Sequence, residues 1–263
     1  MSLQGILYVP NGPMLIDPAV DGRDASRIAL RERGKKFSGD LDAVFVVTPH
    51  FSTRGGIAVV STAKMSQIFD FSGFPPEFYE VKYEPPGNPH LARKLVFMGR
   101  SRGLPLAETD RWGLDHGAWT SLVHLFPNAR VPVVPVSVMA GGDPSIYLDL
   151  GKAIAEIALS SNIALISTGS LIHRLDLFQN PGGELPEDAA EYLKMVLKFL
   201  GNSDWKAVWD IPEKYYRAAA PEGGLAPMMA LAGATGDEFR AEVLSNEIMY
   251  NSVSMTTIEF GKK

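Results

Sequence analysis

Ala43-Val44-Phe45-Val46-Val47-Thr48-Pro49-His50-Phe51 is the stretch on which the fold turns. Its apolar run lacks the polar alternation of a half-exposed strand and reads as a strand covered on both faces. Leu7-Tyr8-Val9, Ile57 to Ser61, Val131 to Val138 and Ile163 to Thr168 read the same way. Between them lie amphipathic stretches with helix-start signals. Asn88-Pro89 supplies an N-cap and a first helical residue ahead of Leu91, Leu95 and Met98. Asp143-Pro144 repeats that signal before Ile146, Leu150, Ile154 and Ile157. Pro186 opens a helix whose Leu193, Val196, Leu197 and Leu200 face inward and which Gly201 stops. The tail from Met249 to Phe260 reads as a strand pair. The expectation is one α/β domain spanning residues 1–263, with a mainly parallel or mixed central sheet flanked by helices.

Composition narrows the function classes. The chain is 46% hydrophobic and 21% charged, as ordinary globular domains are. A net charge of -5 argues against a nucleic-acid partner, which selects for a basic face. The apolar runs are too short for a membrane span, and no basic segment precedes an apolar one at the start. A cytoplasmic protein without a membrane partner is therefore expected. With no cysteine, disulfides, thiolate metal sites and cysteine nucleophiles are excluded. The Walker, His-Glu-x-x-His and dinucleotide fingerprints are absent. Gly99-Arg100-Ser101-Arg102-Gly103 fits a nucleophile-elbow pattern, but in the order helix then extended segment, so Ser101 reads as a turn residue.

Five histidines remain as candidates. His50, His116 in Gly113-Leu114-Asp115-His116-Gly117-Ala118-Trp119, and His173 in Gly169-Ser170-Leu171-Ile172-His173-Arg174 lie where the chain leaves a strand or enters a helix. In α/β proteins such positions gather around ligands, and imidazole serves both metal ligation and proton transfer near neutral pH. His116 and His124 stand eight residues apart on one helix, roughly 12 Å, which prevents both from binding one metal. His124 reads as a core or interface residue and His90 as solvated. Arg174 is either a partner for a substrate carboxylate or a surface residue.

Taken with Phe69-Asp70-Phe71-Ser72-Gly73-Phe74-Pro75-Pro76-Glu77-Phe78-Tyr79, Tyr83 and Pro85-Pro86-Gly87, the His116 and His173 segments resemble the class III extradiol ring-cleavage dioxygenases. This is the LigB superfamily, and the likeness is to its DOPA-dioxygenase-like branch. The resemblance implies a non-haem metal, Fe(II) or in some relatives zinc, held by two histidines and a carboxylate or third histidine. It implies a small catechol-like or aminophenol-like substrate, O2 as co-substrate, and a homo-oligomer or a hetero-oligomer with a paralogous subunit. By position His50 resembles a metal ligand, His173 the acid/base, and His116 the pocket histidine that contacts oxygen or substrate.

The chain departs from that pattern twice. Asn11, in Tyr8-Val9-Pro10-Asn11-Gly12-Pro13, stands where the first metal histidine is expected. Counting back nine residues from Gly233-Ala234 puts Gly224 at the third ligand position, which a glycine leaves vacant. Two rescues stay open: Glu222 as a substitute carboxylate, or a new His50/His116/His173 site of the kind zinc accepts. Glu247 reads as structural. Three functions follow as alternatives. They are a ring-cleaving enzyme with a rearranged metal site, a non-catalytic partner of an active paralogue, or a metal-free protein that binds aromatic ligands.

Overall fold

Each central strand feeds two cores at once, because successive side chains along a strand point to opposite faces. This is seen in the computed structural model, which describes residues 2–19, 24–37, 40–178 and 183–262. Its strands are β1 (Ser2–Val9), β2 (Ala43–Thr53), β3 (Ile57–Val60), β4 (Leu106–Thr109), β5 (Val133–Met139), β6 (Asn162–Thr168), β7 (Phe239–Met249) and β8 (Val253–Lys262). Its α-helices are α1 (Ala25–Lys35), α2 (Pro89–Ser101), α3 (His116–Leu125), α4 (Ile146–Ile157), α5 (Leu175–Phe178), α6 (Glu187–Gly201), α7 (Trp205–Trp209), α8 (Glu213–Ala219) and α9 (Ala226–Thr235). Ile6, Tyr8, Phe45, Val47, Ile163 and Leu165 pack on the face covered by α2, α4, α6 and α9. Leu7, Val9, Val44, Val46, Ala164 and Ile166 pack on the other, with Leu30 of α1 and Trp119 and Leu122 of α3.

The eight strands form a single mixed sheet in the order β4-β3-β5-β2-β6-β1-β8-β7. β5, β2, β6 and β1 run parallel, whereas β8 meets β1 and β7 meets β8 antiparallel. The expected α/β fold with a mixed, helix-flanked sheet is thus what the chain adopts. No helix among the described residues is long and apolar enough to cross a membrane.

Several boundaries differ from the sequence reading. Helix α4 begins at Ile146 behind Ser145, and Asp143 instead closes the preceding turn by accepting from the Ser145 N–H at 2.9 Å. The C-terminal hairpin starts ten residues earlier than Met249, at Phe239, and turns at Tyr250 to Ser252. β7 is an edge strand that exposes Arg240, Glu242 and Asn246, so its apolar signal is weak. Tyr250 and Asn251 both hold positive φ, 54° and 51°, at the tip. Asparagine tolerates that region; for tyrosine it is a strained choice.

The site follows from the order of the central strands. β2, β6 and β1 are parallel neighbours, so their carboxyl ends deliver His50, Ser170 and Asn11 to one edge of the sheet. Between Thr48 and Ser52 the ladder with β5 shifts register, and Pro49, His50 and Phe51 bulge out of it. That bulge lifts His50 from the sheet.

Candidate active site

His50 stands between two carboxylates. Its Nδ1 lies 3.0 Å from Asp70 Oδ2 and its Nε2 lies 2.9 Å from Glu222 Oε1. Asp70 arrives on the aromatic loop between β3 and α2, and it reaches a second histidine: its Oδ1 lies 2.9 Å from His116 Nδ1 and accepts the His116 backbone N–H at 2.8 Å. The His50 and His116 rings are 3.9 Å apart between centroids. His173 Nε2 is 3.9 Å from the same Glu222 oxygen, Oε1.

Local structure fixes each of these groups. His116 is the first residue of α3, whose N-cap Asp115 accepts from the Ala118 N–H. The buried Asp115 also accepts from Thr48 Oγ1 at 2.7 Å and Trp112 Nε1 at 3.1 Å, tying α3 to β2 beside His50. Gly117 is required by close approach, since a Cβ there would fall 2.6 Å from His50 Cδ2 and 2.8 Å from Thr48 Oγ1. His173 donates its backbone N–H to the Ala219 carbonyl and bridges to Val253 of β8. Glu222 follows α8 directly: Ala220 caps that helix in the left-handed region, and the Glu222 N–H reaches the Ser170 carbonyl at 2.9 Å.

Charge is concentrated here. Burial by itself disfavours a charged imidazole, but Asp70 and Glu222 on either side raise the His50 pKa to about 10. Burial likewise favours a protonated Asp70, yet His116 and His50 hold its carboxyl well below the usual carboxylate range. Glu222 is held below its ordinary value by His50 and His173 against the same burial penalty. In the metal-free protein the His50 imidazole is therefore expected to stay cationic at pH 8 and to lose its proton only near pH 10. The Cε1–H resonance of His50, followed by NMR from pH 5 to 11, checks this. A transition near the unperturbed histidine value, about 6.5, would contradict it.

Two places suit a cation. His50, Asp70 and His116 offer ligand atoms within 4.8 Å of one another. The other lies at the opposite nitrogen of His50, between Nε2, Glu222 and Asn11. Adjacent ligands of an octahedral ion about 2.1 Å from the metal are about 3.0 Å apart, so the 2.9 Å separation of His50 Nε2 and Glu222 Oε1 fits. Satisfaction of the polar atoms favours this second place. Both Asp70 oxygens are engaged, whereas the buried Glu222 Oε2 makes no hydrogen bond among the described residues, although the Asn11 amide lies near enough to help hold the carboxylate ionised. A buried anionic oxygen without a donor is costly, and a cation removes the cost. The carboxylate behind Nδ1 also matches the usual support of a metal-bound histidine, which fixes ring orientation. A nitrogen and oxygen donor set of this kind suits iron, zinc or manganese.

Asn11, His50, His116, His173 and Glu222 thus share one cavity of about 320 Å³. Gly224, read from the family spacing as the vacant ligand position, does not line it. It lines a neighbouring hollow with Tyr216, its φ is +65°, and a Cβ there would meet Tyr216 Oη at 3.0 Å. Gly223 and Gly224 both turn left-handed. Glu222 is the residue that this turn points inward. The three-histidine alternative loses its geometry as well, because the Nδ1 atoms of His50 and His116 converge on Asp70 while His173 faces Glu222. His124 is half-buried, its Nε2 2.6 Å from the Leu15 carbonyl, and His90 is exposed. Glu247 accepts from Ser26 Oγ at 3.1 Å, away from the cavity. Asp70 is the site residue that sequence reasoning missed. The signal available was one acid set among the aromatic residues Phe69, Phe71 and Phe74.

Comparisons with known proteins converge on one family. A family model described as the catalytic LigB subunit of aromatic ring-opening dioxygenase matches residues 24–261. A protein of Beta vulgaris named 4,5-DOPA dioxygenase extradiol is 29% identical over 257 residues, covering 93% of this chain and 92% of that one. A protein of Escherichia coli (strain K12) with the same name is 32% identical over 164 residues, 60% of this chain and 59% of its own length. The Dioxygenase tasH of Hapsidospora irregularis is 28% identical over 235 residues, 83% of this chain and 71% of its own. Among solved structures, an uncharacterized protein from Escherichia coli K12 superposes with a TM-score of 0.74 at 23% identity, covering 98% of this chain and 100% of that one. This last likeness concerns the fold.

Proposed function

Because the chain belongs to the LigB family of aromatic ring-opening dioxygenases, we propose that it opens a catechol-like ring with O2 at a divalent metal held by His50, Glu222 and Asn11. The observation that carries this reading is the buried Glu222 carboxylate, set 2.9 Å from His50 Nε2 with its second oxygen unpartnered. It supplies the negative charge that the position of Gly224 does not. Asn11 contributes a neutral amide oxygen, and His50 ligates as the neutral imidazole after losing its proton. Fe(II) is the metal this reading favours. When bound, it supplies a Lewis-acidic, redox-active centre at which diol and dioxygen meet.

The chain's own residues do the rest. Asp70 holds the His50 ring through Nδ1 and orients His116 through its other oxygen. His173 lines the cavity, about one-quarter exposed, where it accepts a proton from a substrate hydroxyl and returns it later. His116 faces the cavity from the N-terminus of α3, in reach of the second oxygen of the diol. Phe71 packs its ring 5.3 Å from His116, so the reacting end is walled from water on that side. The bond between ring carbons beside the hydroxyl pair breaks, and both atoms of O2 enter the product.

The test is oxygen uptake by protein loaded anaerobically with ferrous iron and then given a catechol. One O2 consumed per diol, with a product heavier by two oxygen atoms, is expected. Retained iron with no oxygen uptake across a set of catechols and aminophenols would overturn the reading. The fold would then serve as the partner of an active paralogue.

A further inference from the structure

The cavity is two-ended. Its floor is polar, with His50, His116, His173, Glu222 and Asn11, and with Ser170 Oγ buried and unpartnered among the described residues. Its walls are apolar: Phe71 and Phe74, 5.4 Å apart between ring centroids, lie among Met14, Met249, Met255 and Val253. Met14 Sδ lies 3.9 Å from Tyr250 Oη, so the tip of the β7–β8 hairpin reaches across to the loop after β1. Methionine packs well against aromatic rings and adapts to their shape. Leu175, about half exposed, sits at the rim.

The charges are just as one-sided. With a divalent ion bound and His50 neutral, the two carboxylates Asp70 and Glu222 balance the charge of the ion, so the site has no surplus of positive charge for an anionic substituent. Arg174, next to His173 in sequence, is the basic group best placed to change that, and it is committed elsewhere. Its guanidinium forms a two-point pair with Asp176 at 2.8 and 2.7 Å and donates to the Ala218 carbonyl at 2.9 Å. Among the described residues that line the cavity there is no lysine or arginine. A substituent carboxylate entering here would lose its water against phenyl and thioether groups without gaining a partner.

We propose that the cavity takes an uncharged catechol with a short apolar substituent and rejects catechols that carry a carboxylate. This rests on the ring-opening reading and narrows it to a substrate class. A volume of about 320 Å³ accommodates one ring and a short side chain, with the hydroxyls on the polar floor and the substituent between Phe74 and the methionines.

The experiment compares 4-ethylcatechol with 3-(3,4-dihydroxyphenyl)propionate, which adds a carboxylate to the same framework. Binding is measured by titration calorimetry on the zinc-loaded protein without oxygen, where no turnover intervenes. The neutral catechol is expected to bind at least about tenfold more tightly. In Leu175→Arg, which places a cation at the exposed rim, the preference should shrink or reverse. Equal or tighter binding of the acid to the wild-type protein, or binding of neither, overturns the proposal. Selective binding of the neutral catechol without oxygen uptake by the iron-loaded protein would keep the ligand class and overturn ring opening. Oxygen uptake with the acid favoured would do the reverse.

Discussion

Glu222→Gln is expected to weaken ferrous-iron binding by more than about 100-fold and to abolish ring opening. Of the three proposed ligands only Glu222 carries a charge, since Asn11 is an amide and His50 ligates as neutral imidazole. A divalent ion surrenders hydration to enter the cavity, and a neutral ligand set offsets that loss poorly. Glutamine keeps the shape of the side chain and removes the charge, so the fold should persist. In the metal-free protein the same change removes one of the two carboxylates that raise the His50 pKa, which should therefore fall from about 10. Metal affinity is read by competition with a chelator, and integrity by thermal unfolding. Unchanged iron affinity in a folded variant would move the metal to the His50, Asp70 and His116 group.

His173→Ala is expected to lower kcat by about 10²–10⁴ while leaving iron content unchanged. The imidazole reaches the cavity and stands 3.9 Å from Glu222 Oε1, outside the closer His50–Glu222 contact proposed for the metal, which leaves it available as a proton acceptor. The backbone of this segment is fixed independently of the side chain: Ile172 N–H donates to Ser254 Oγ, and His173 N–H donates to the Ala219 carbonyl. Truncation should therefore remove the proton transfer without moving Glu222. The decisive comparison is iron per chain beside steady-state kinetics with a confirmed substrate. Full turnover in the variant would end the acid/base assignment, and loss of iron would mean that His173 is a ligand after all.

The sheet was legible because buried parallel strands carry their signature locally. Ala43 to Thr48 and Ile163 to Thr168 are apolar on both faces and lie at the sheet centre. The same locality brought His50, His116 and His173 to notice, since each lies next to a strand end or helix start that the sequence marks. Asp70 escaped because the loop around it has no periodicity and is placed by packing. Phe69 and Phe71 meet Trp119 of α3, and Trp119 Nε1 donates to the Ile68 carbonyl, which carries Asp70 to His116. The β7–β8 hairpin was read too short because a polar edge strand resembles loop in composition. Gly223 and Gly224 hold successive positive φ values, a conformation that glycine allows but the sequence does not announce. Glu222, which precedes them, was recognisable as a carboxylate near the right place. Its burial against His50 is a tertiary fact.

The measurement that bears most directly on this account is the iron content of the wild-type protein after anaerobic loading and removal of excess metal. The arrangement of His50, Glu222 and Asn11 predicts about one iron retained per chain, and little in Glu222→Gln. A wild-type protein that emerges without iron, and without zinc under the same treatment, would contradict a metal centre at this cavity.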